Sequence, residues 1–343
     1  MGQILKRGMR VLALFDLGEP TSMEQDFTED LKSHAWKTEA DVLKALRRLG
    51  CEVEYLAIHD DTDFIRQKLQ TFPADIIFNL VEEFRNKREL DQNVVSYLEL
   101  GGLPFTGCGS TGLTLCRNKG ISKKVLGYHR IRVPQFAILP RSRRIVRPRW
   151  LTYPILVKPL KEEGSTGISQ ASFVENDADF RDRVAFVHEK LERDVIAEEY
   201  INGRELYVSI LGNRRLQVFP IRELFFHEVP PDEPRIATYR AKWDDEYRWR
   251  WGIENDWAAE IEPTLLRKIE STCRRIYHLL AIDGYARLDL RVTPQNEVVF
   301  IEANPNPFLA DGEDFALSAQ KGGLSYEQLI ARIVRLGLTA RRG

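Results

Sequence analysis

The chain has 343 residues, of which 43% are hydrophobic and 29% charged, as expected of a globular protein large enough for two or three domains. Its formal net charge of −1 gives no overall attraction to nucleic acid or to an anionic membrane, and no apolar run is long enough for a membrane span or a signal peptide. The four cysteines form no CxxC pair and show no zinc-ligand spacing, so we expect reduced thiols in a cytoplasmic protein.

The first third of the chain alternates strand and helix patterns. Apolar or alternating segments predict strands over 11–15, 52–58 and 74–81, and apolar residues at helical spacing predict helices over 36–49, 62–71 and 94–100. Strands that alternate with helices are typical of a parallel sheet covered on both faces.

The rest of the chain divides into two further parts. From about Asn118 to Ile201 we predict a compact α+β unit with helices over 118–128 and 178–191 and strands over 155–158, 167–173 and 195–199. The last part is predicted to hold strands over 204–211 and 215–221, a stretch of low periodicity over 222–258, a helix over 261–281, a hairpin over 285–304 and a final helix over 326–336.

The predicted hairpin carries the strongest chemical signal. Arg287 and Asp289 point to one face of its first strand, and Glu302 and Asn304 share one face of the second. A two-residue turn at 295–296 places Asp289 opposite Glu302 and Arg287 opposite Asn304, and any even shift in register keeps these faces together.

Two carboxylates and a carboxamide on one patch provide the oxygen ligands that Mg²⁺ prefers, and the guanidinium beside them suits charge that develops on a phosphoryl group or an oxyanion. An exposed sheet face with an ordinary Arg–Asp pair fits the hairpin equally well. The hairpin alone leaves both interpretations open.

Several segments before the hairpin are suited to phosphate. Lys158 ends an apolar strand and needs an anion, and the glycine-flanked loop 164–167 follows it, although a plain turn is the simpler interpretation of that loop. Lys119 lies at a helix start, against the helix dipole, where a bound anion would explain it, although a solvated lysine is the simpler interpretation. Residues 198–201 leave a strand at a place suited to adenine, and Glu205 follows at a spacing suited to a ribose hydroxyl.

In order and spacing, these segments resemble the ATP-grasp superfamily and, within it, the D-alanine–D-alanine ligase branch. The likeness covers roughly residues 100–338 and includes GLPFTGCGS (102–110), the RNK helix start, YPILVKP, EGSTG, IAEEYINGRELYVSILG (196–212), ARLDL and FIEANPNP (300–307). The resemblance implies a three-domain ATP-grasp architecture of mixed α/β and α+β class. An N-terminal parallel α/β substrate domain spans 1–117, a small central subdomain 118–201, and an antiparallel-sheet catalytic subdomain 202–343.

The resemblance also implies roles for individual residues. It implies that ATP is bound by Lys119, Lys158, the loop residues Glu163, Gly164, Ser165, Thr166 and Gly167, the adenine-pocket residues Glu198, Glu199, Tyr200 and Ile201, and Glu205 at the ribose. It implies that Asp289, Glu302 and Asn304 carry Mg²⁺ or Mn²⁺, and that Arg287 and Lys242 stabilise the transition state. The implied reaction phosphorylates a carboxylate to an acyl phosphate, which an amine then attacks.

The likeness fails where the family binds its amino acids. Segments 15–24 and 81–88 lack the glycine-rich and His-Gly motifs of the dipeptide ligases, a loop serine falls on Gly164, and its partner tyrosine falls on Trp243. The serine–leucine pair that receives the second alanine's carboxylate falls on Glu313 and Asp314, which would repel a carboxylate and attract an amine. The alternative is that both acids serve a helix dipole.

From these features we expect a carboxylate–amine ligase for small amino-acid or peptide substrates other than two D-alanines, with no nucleic-acid or membrane partner. Three alternatives stay open: a genuine D-alanine–D-alanine ligase, an ATP-grasp kinase, and a nucleotide-binding regulator without turnover. A homodimer is also left open.

Overall fold

A computed structural model describes residues 5–23, 25–162, 164–230 and 233–340. Glu163, part of the predicted ATP site, lies outside the described residues. No helix in the described ranges combines the length and the apolar character needed to cross a membrane.

The first third forms a parallel α/β unit. Its sheet has the order β2-β1-β3, with strands β1 to β3 at Arg10–Asp16, Glu52–Ile58 and Ile76–Asn79. Helices α1 to α4 are Lys37–Arg48, Asp63–Thr71, Asp91–Leu100 and Ser110–Arg117. Short 3-10 helices lie at Asp30–Lys32, His34–Trp36 and Arg88–Leu90.

The middle of the chain forms a four-stranded antiparallel sheet of order β4-β7-β5-β6. Strands β4 to β7 are Phe136–Leu139, Ile155–Pro159, Phe173–Val174 and Val195–Glu199, and helices α5 and α6 are Lys119–Tyr128 and Asp177–Glu189.

The last part is a six-stranded antiparallel sheet of order β11-β10-β8-β12-β13, with β9 paired to β8. Strands β8 to β13 are Arg204–Leu211, Gln217–Val218, Arg222–Phe226, Ile253–Trp257, Tyr285–Val292 and Val298–Pro305. Helices α7 to α11 are Tyr239–Trp243, Asp245–Arg250, Pro263–Leu279, Asp314–Lys321 and Tyr326–Thr339. The predicted fold class is confirmed, since one parallel and two antiparallel sheets follow one another along the chain.

The three units share their cores unequally. Strand β1 and strand β8 contribute Leu12 and Leu206 to one continuous core, which also takes the predicted apolar face of α9, for example Ile269 and Ile276. The central sheet and α6 have a separate core around Val157. The central sheet and α6 therefore pack largely on themselves, whereas α5 joins the larger core through Leu126, and the cleft lies between two antiparallel sheets.

Two predicted strands are wrong in extent. In place of the strand over 167–173 there is a 3-10 turn at Gln170–Ser172 followed by the two-residue β6, because Ser169 and Ser172 form a capping box that satisfies the backbone locally. The predicted strand over 215–221 is reduced to β9. The stretch of low periodicity, 222–258, contains β10, α7, α8 and β11, whose short lengths leave little periodic signal.

Candidate active site

The hairpin of β12 and β13 has the predicted pairing at its chemical end. Asp289 lies opposite Glu302 and Arg287 opposite Asn304. The predicted two-residue turn is wrong, because the connection spans 293–297 and the register shifts beyond Asp289, leaving Leu290 opposite Phe300. A bulge of this kind takes up one extra residue and keeps both faces of the ladder in place.

The Arg–Asp pair on this hairpin is buried. The guanidinium of Arg287 donates to both carboxylate oxygens of Asp289, at 2.8 and 3.0 Å, and lies over the ring of Tyr207 at 4.7 Å. Asp289 is 3% exposed, so the alternative of an exposed sheet face is wrong. Burial raises the pKa of Asp289 in spite of the opposing charge of Arg287.

Glu302 faces a group of lysines. Lys119 Nζ lies 3.4 Å from Glu302 Oε2, and both side chains are largely buried. Burial alone would raise the pKa of Glu302, but the charges of Lys119, Lys242 and Lys158 outweigh it and hold that pKa well below its usual range. Glu302 is therefore ionised at neutral pH.

A second buried carboxylate, Glu198, joins two lysines. Its oxygens lie 2.9 Å from Lys123 Nζ and 2.5 Å from Lys158 Nζ, and Lys123 also donates to the carbonyl of Ile301 in β13. Burial raises the pKa of Glu198, yet the two lysine charges lower it overall. Sequence reasoning missed Lys123, although its position four residues after Lys119 places both lysines on one face of α5.

A cavity of about 60 Å³ lies between the central sheet and the β12–β13 hairpin. The predicted residues that line it are Lys158, Ser165, Glu198, Glu199, Tyr200, Ile201, Glu205, Lys242, Asp289 and Glu302. Glu205 is ion-paired with Arg291 at 2.5 Å, another cavity residue that the sequence did not single out. Most of the predicted nucleotide and metal residues thus converge on one place.

The glycine-flanked loop 164–167 forms a turn in the connection between strands β5 and β6. Gly164, Ser165 and Gly167 all have positive φ, at 60°, 63° and 73°. A side chain at Gly167 would come within 2.7 Å of Leu191, so a glycine is required there. Ser165 Oγ donates to the carbonyl of Ala237 at 2.6 Å, which ties the loop to the segment before α7.

A larger cavity of about 370 Å³ adjoins the first, and Lys242 lines both. From the predicted set it is lined by Gly164, Thr166, Lys242, Trp243, Arg287, Asn304, Glu313 and Asp314. Trp243 Nε1 donates to the carbonyl of Gly164 at 3.0 Å, and the Trp243 ring meets Phe308 edge-on at 6.1 Å. The positions that the resemblance paired across the cleft are therefore in contact.

Asp314 does not offer a free negative charge to this cavity. Its carboxylate lies 2.7 Å from Arg222 Nε and accepts a hydrogen bond from Asn255 Nδ2 at 3.0 Å. The expectation that Asp314 attracts an amine needs correction, because Arg222 already neutralises it. Glu313 is exposed at the N-terminus of α10, as the helix-dipole interpretation expects.

Comparison with known proteins places this site in a family. The family model for the C-terminal part of D-alanine–D-alanine ligases matches residues 125–335, more than half of the chain. The chain belongs to the D-alanine–D-alanine ligase family.

Individual relatives agree with this assignment. The chain is 29% identical over 300 residues to the uncharacterized protein y4sG of Sinorhizobium fredii, covering 85% of each chain. It is 25% identical over 301 residues to the D-alanine–D-alanine ligase of Aquifex aeolicus, covering 87% of this chain and 94% of that one. The crystal structure of D-alanine–D-alanine ligase from Bacillus anthracis complexed with ATP covers 96% of this chain and 98% of its own, with a TM-score of 0.73 at 20% identity, and shows the shared fold.

Membership of the D-alanine–D-alanine ligase family confirms the predicted superfamily and the class of ATP-dependent ligases that form C–N bonds. ATP with Mg²⁺ is the cofactor pair of this family. The donor set of this chain fits such a cation, because two carboxylates and a carboxamide, whose oxygens are the ligands Mg²⁺ prefers, share one face of the hairpin. Among the described residues, no group of three or more His, Cys, Asp or Glu side chains is placed to hold a metal ion.

Proposed function

We propose that this protein joins a carboxylate to an amine, using ATP to activate the carboxylate as an acyl phosphate, and that its substrates are not two molecules of D-alanine. The observation that carries the ligase assignment is the hairpin pairing of Asp289 with Glu302 and of Arg287 with Asn304. This pairing lies at the junction of a small cavity and a larger one, as a reaction between a nucleotide and a second substrate requires.

The smaller cavity is assigned to the nucleotide. Residues 198–201 line it on the side of the central sheet, where adenine would contact the backbone, and Glu205 would meet the ribose. Lys119 and Lys158 would hold the phosphates, since both ammonium groups are buried among carboxylates that a phosphate would join or replace. The loop 164–167 would close over them through its backbone N–H groups.

Asp289, Glu302 and Asn304 are the residues that would hold Mg²⁺, which when bound neutralises phosphate charge. Lys242 lines both cavities and Arg287 lines the larger one, and their fixed positive charges would stabilise the oxyanion that forms as the amine adds to the activated carbon. The hydrogen bond from Trp243 to the carbonyl of Gly164 joins α7 to the glycine-flanked loop, and a loop held in this way would help to keep water from the activated carboxylate.

The substrate part of the proposal rests on the residues of the larger cavity. The resemblance assigns Glu313 and Asp314 to the place where the family receives its second alanine, and Asp314 is already paired with Arg222. A substrate carboxylate in that place would lie beside Asp314, whose neighbouring cation, Arg222, is already paired. Another residue would have to bind the substrate carboxylate, and we therefore expect a substrate other than D-alanine.

The test is a phosphate-release screen in which amino acids and short peptides are supplied in pairs with Mg·ATP, followed by mass spectrometry of the products. We expect ADP, phosphate and an amide product only when both a carboxylate and an amine are present, with other pairs turned over faster than D-alanine alone. Glu302→Gln is the inactive control. A phosphorylated product without phosphate release would identify a kinase, and a clear preference for D-alanine alone would refute the substrate part.

A further inference from the structure

The charges around the larger cavity are mostly paired within the protein. Four arginines that line it or border it each have a carboxylate partner: Arg88 with Glu82, Arg117 with Asp91, Arg287 with Asp289 and Arg222 with Asp314. Two lining cations, Lys242 and Arg248, form no ion pair among the described residues. Lys242 also lines the nucleotide cavity, where phosphate would face it.

Arg248 has no such explanation. It lies in α8, is half-buried, and one guanidinium nitrogen donates to the carbonyl of Ala241 at 2.6 Å. A guanidinium carries five N–H donors, and the remaining donors of Arg248 have no hydrogen-bond partner in the described part of the chain. Arg248 lines the larger cavity and does not line the smaller one, so the nucleotide is not its partner.

We propose that Arg248 binds a carboxylate of the substrate that the reaction does not consume. This inference rests on the proposed ligase function and assigns a specificity residue to its larger cavity. The planar guanidinium can donate two parallel hydrogen bonds to a carboxylate, which fixes both the position and the orientation of the bound molecule.

The surroundings of Arg248 favour an amphipathic partner of this kind. Three large aromatic side chains line the same cavity and remain exposed: Tyr239 at 52%, Trp243 at 50% and Phe308 at 43%. Exposed aromatic rings beside an unpaired guanidinium are suited to a molecule with an apolar body and an anionic end. Glu313 is the one lining carboxylate without an ion pair in the described residues, and its place at the start of α10 suits the helix dipole.

In an amide-forming reaction, the carboxylate bound by Arg248 can belong to either of two substrates. It is the α-carboxylate of the amino acid that supplies the attacking amine, or it is a second carboxylate on the molecule whose other carboxylate is activated. Replacing each of these groups in turn by its amide separates the two sources.

The experiment uses the full chain and the most active substrate pair from the screen. For wild type and Arg248→Gln we would measure KM and kcat with each substrate as the free acid and as the amide at the group in question. We expect Arg248→Gln to raise KM for one free acid about 10- to 100-fold, the range for losing a hydrogen bond to a charged group. The KM for ATP and the KM for the matching amide should change less than about threefold.

Two further variants test whether a change in KM comes from the loss of the guanidinium or from a general disturbance of the structure. Arg248→Lys keeps the charge and should retain part of the preference for acid over amide. Arg250→Gln removes the same charge two residues later, from an exposed side chain that does not line the larger cavity, and should leave KM unchanged.

Equal losses with acid and amide, or no change in Arg248→Gln, would overturn the assignment of Arg248. If wild type forms no amide product with any pair, the proposed function fails instead. Calorimetric binding of the amino acids and dipeptides of the screen, each as acid and as amide, to wild type and Arg248→Gln with Mg·ADP present then still decides whether Arg248 selects a carboxylate.

Discussion

Replacing Glu198 by glutamine isolates the buried charge network under the nucleotide cavity. The carboxylate of Glu198 is the shared partner of Lys123 and Lys158, and all three side chains are at most 4% exposed. Glutamine has nearly the same shape, but it carries no charge and turns an N–H group toward one of the two ammonium groups.

The expected loss of stability is large. Removing one partner of a buried ion pair typically costs about 3–5 kcal/mol because the remaining charge is left uncompensated. We therefore expect Glu198→Gln to lower the free energy of unfolding by about that amount. Lys123→Met should cost about 1–3 kcal/mol, because Glu198 keeps Lys158 while the carbonyl of Ile301 loses its donor.

The double variant decides whether these residues form one network. When Glu198 is already neutral, Lys123→Met removes an unpaired charge. The loss of stability in the double variant should therefore be smaller than the sum of the two single losses by at least about 1 kcal/mol. Urea unfolding followed by circular dichroism measures all four proteins. Glu199→Gln is the control, because Glu199 pairs with Arg132 at the surface and should cost at most about 1 kcal/mol. Losses that add to within about 0.5 kcal/mol would refute the network.

Glu302→Gln should lower the rate of ADP release about 100- to 1,000-fold while an adenine nucleotide still binds by calorimetry, and unchanged turnover would contradict the metal assignment. Trp243→Phe keeps an aromatic ring, though a smaller one, and removes the hydrogen bond to Gly164, so KM for ATP should rise about fivefold in steady-state assays, whereas an unchanged KM would show that this contact does not hold the loop. Burial lowers the pKa of Lys123 from 10.5 to about 8, although the charge of Glu198 opposes this shift. Between pH 8 and pH 10.5 the lysine therefore holds its proton more tightly in the unfolded chain than in the folded protein. The stability of wild type relative to Lys123→Met should therefore rise from pH 8 to pH 10 in urea titrations, and a fall would reverse the sign of this linkage.

Much of the candidate site was predictable because its residues are close in the chain. In the hairpin, the period of two in a strand places Asp289 with Arg287 and Glu302 with Asn304 whatever the even register, and the structure confirms both pairs. The two-residue turn was wrong without consequence for the site, since the bulge lies beyond Asp289.

Partners from distant segments were not predictable in this way. A pattern in α5 shows that Lys119 and Lys123 share a face, but which carboxylates they meet depends on how α5 lies against β7 and β13. Glu198 was expected to line the adenine pocket, but nothing in its spacing showed that its side chain pairs with two lysines.

The sequence by itself determined the family, the order of the three units and the hairpin that carries the acids, because motifs and strand periodicity are local properties of the chain. The tertiary structure alone decided which charges remain unpaired. Arg222 neutralises Asp314 while Arg248 faces a cavity without a carboxylate partner in the described residues, and nothing in the spacing of either arginine distinguishes them. The reason is physical: the state of a charge depends on the groups within a few ångströms, and folding brings those groups from remote parts of the chain.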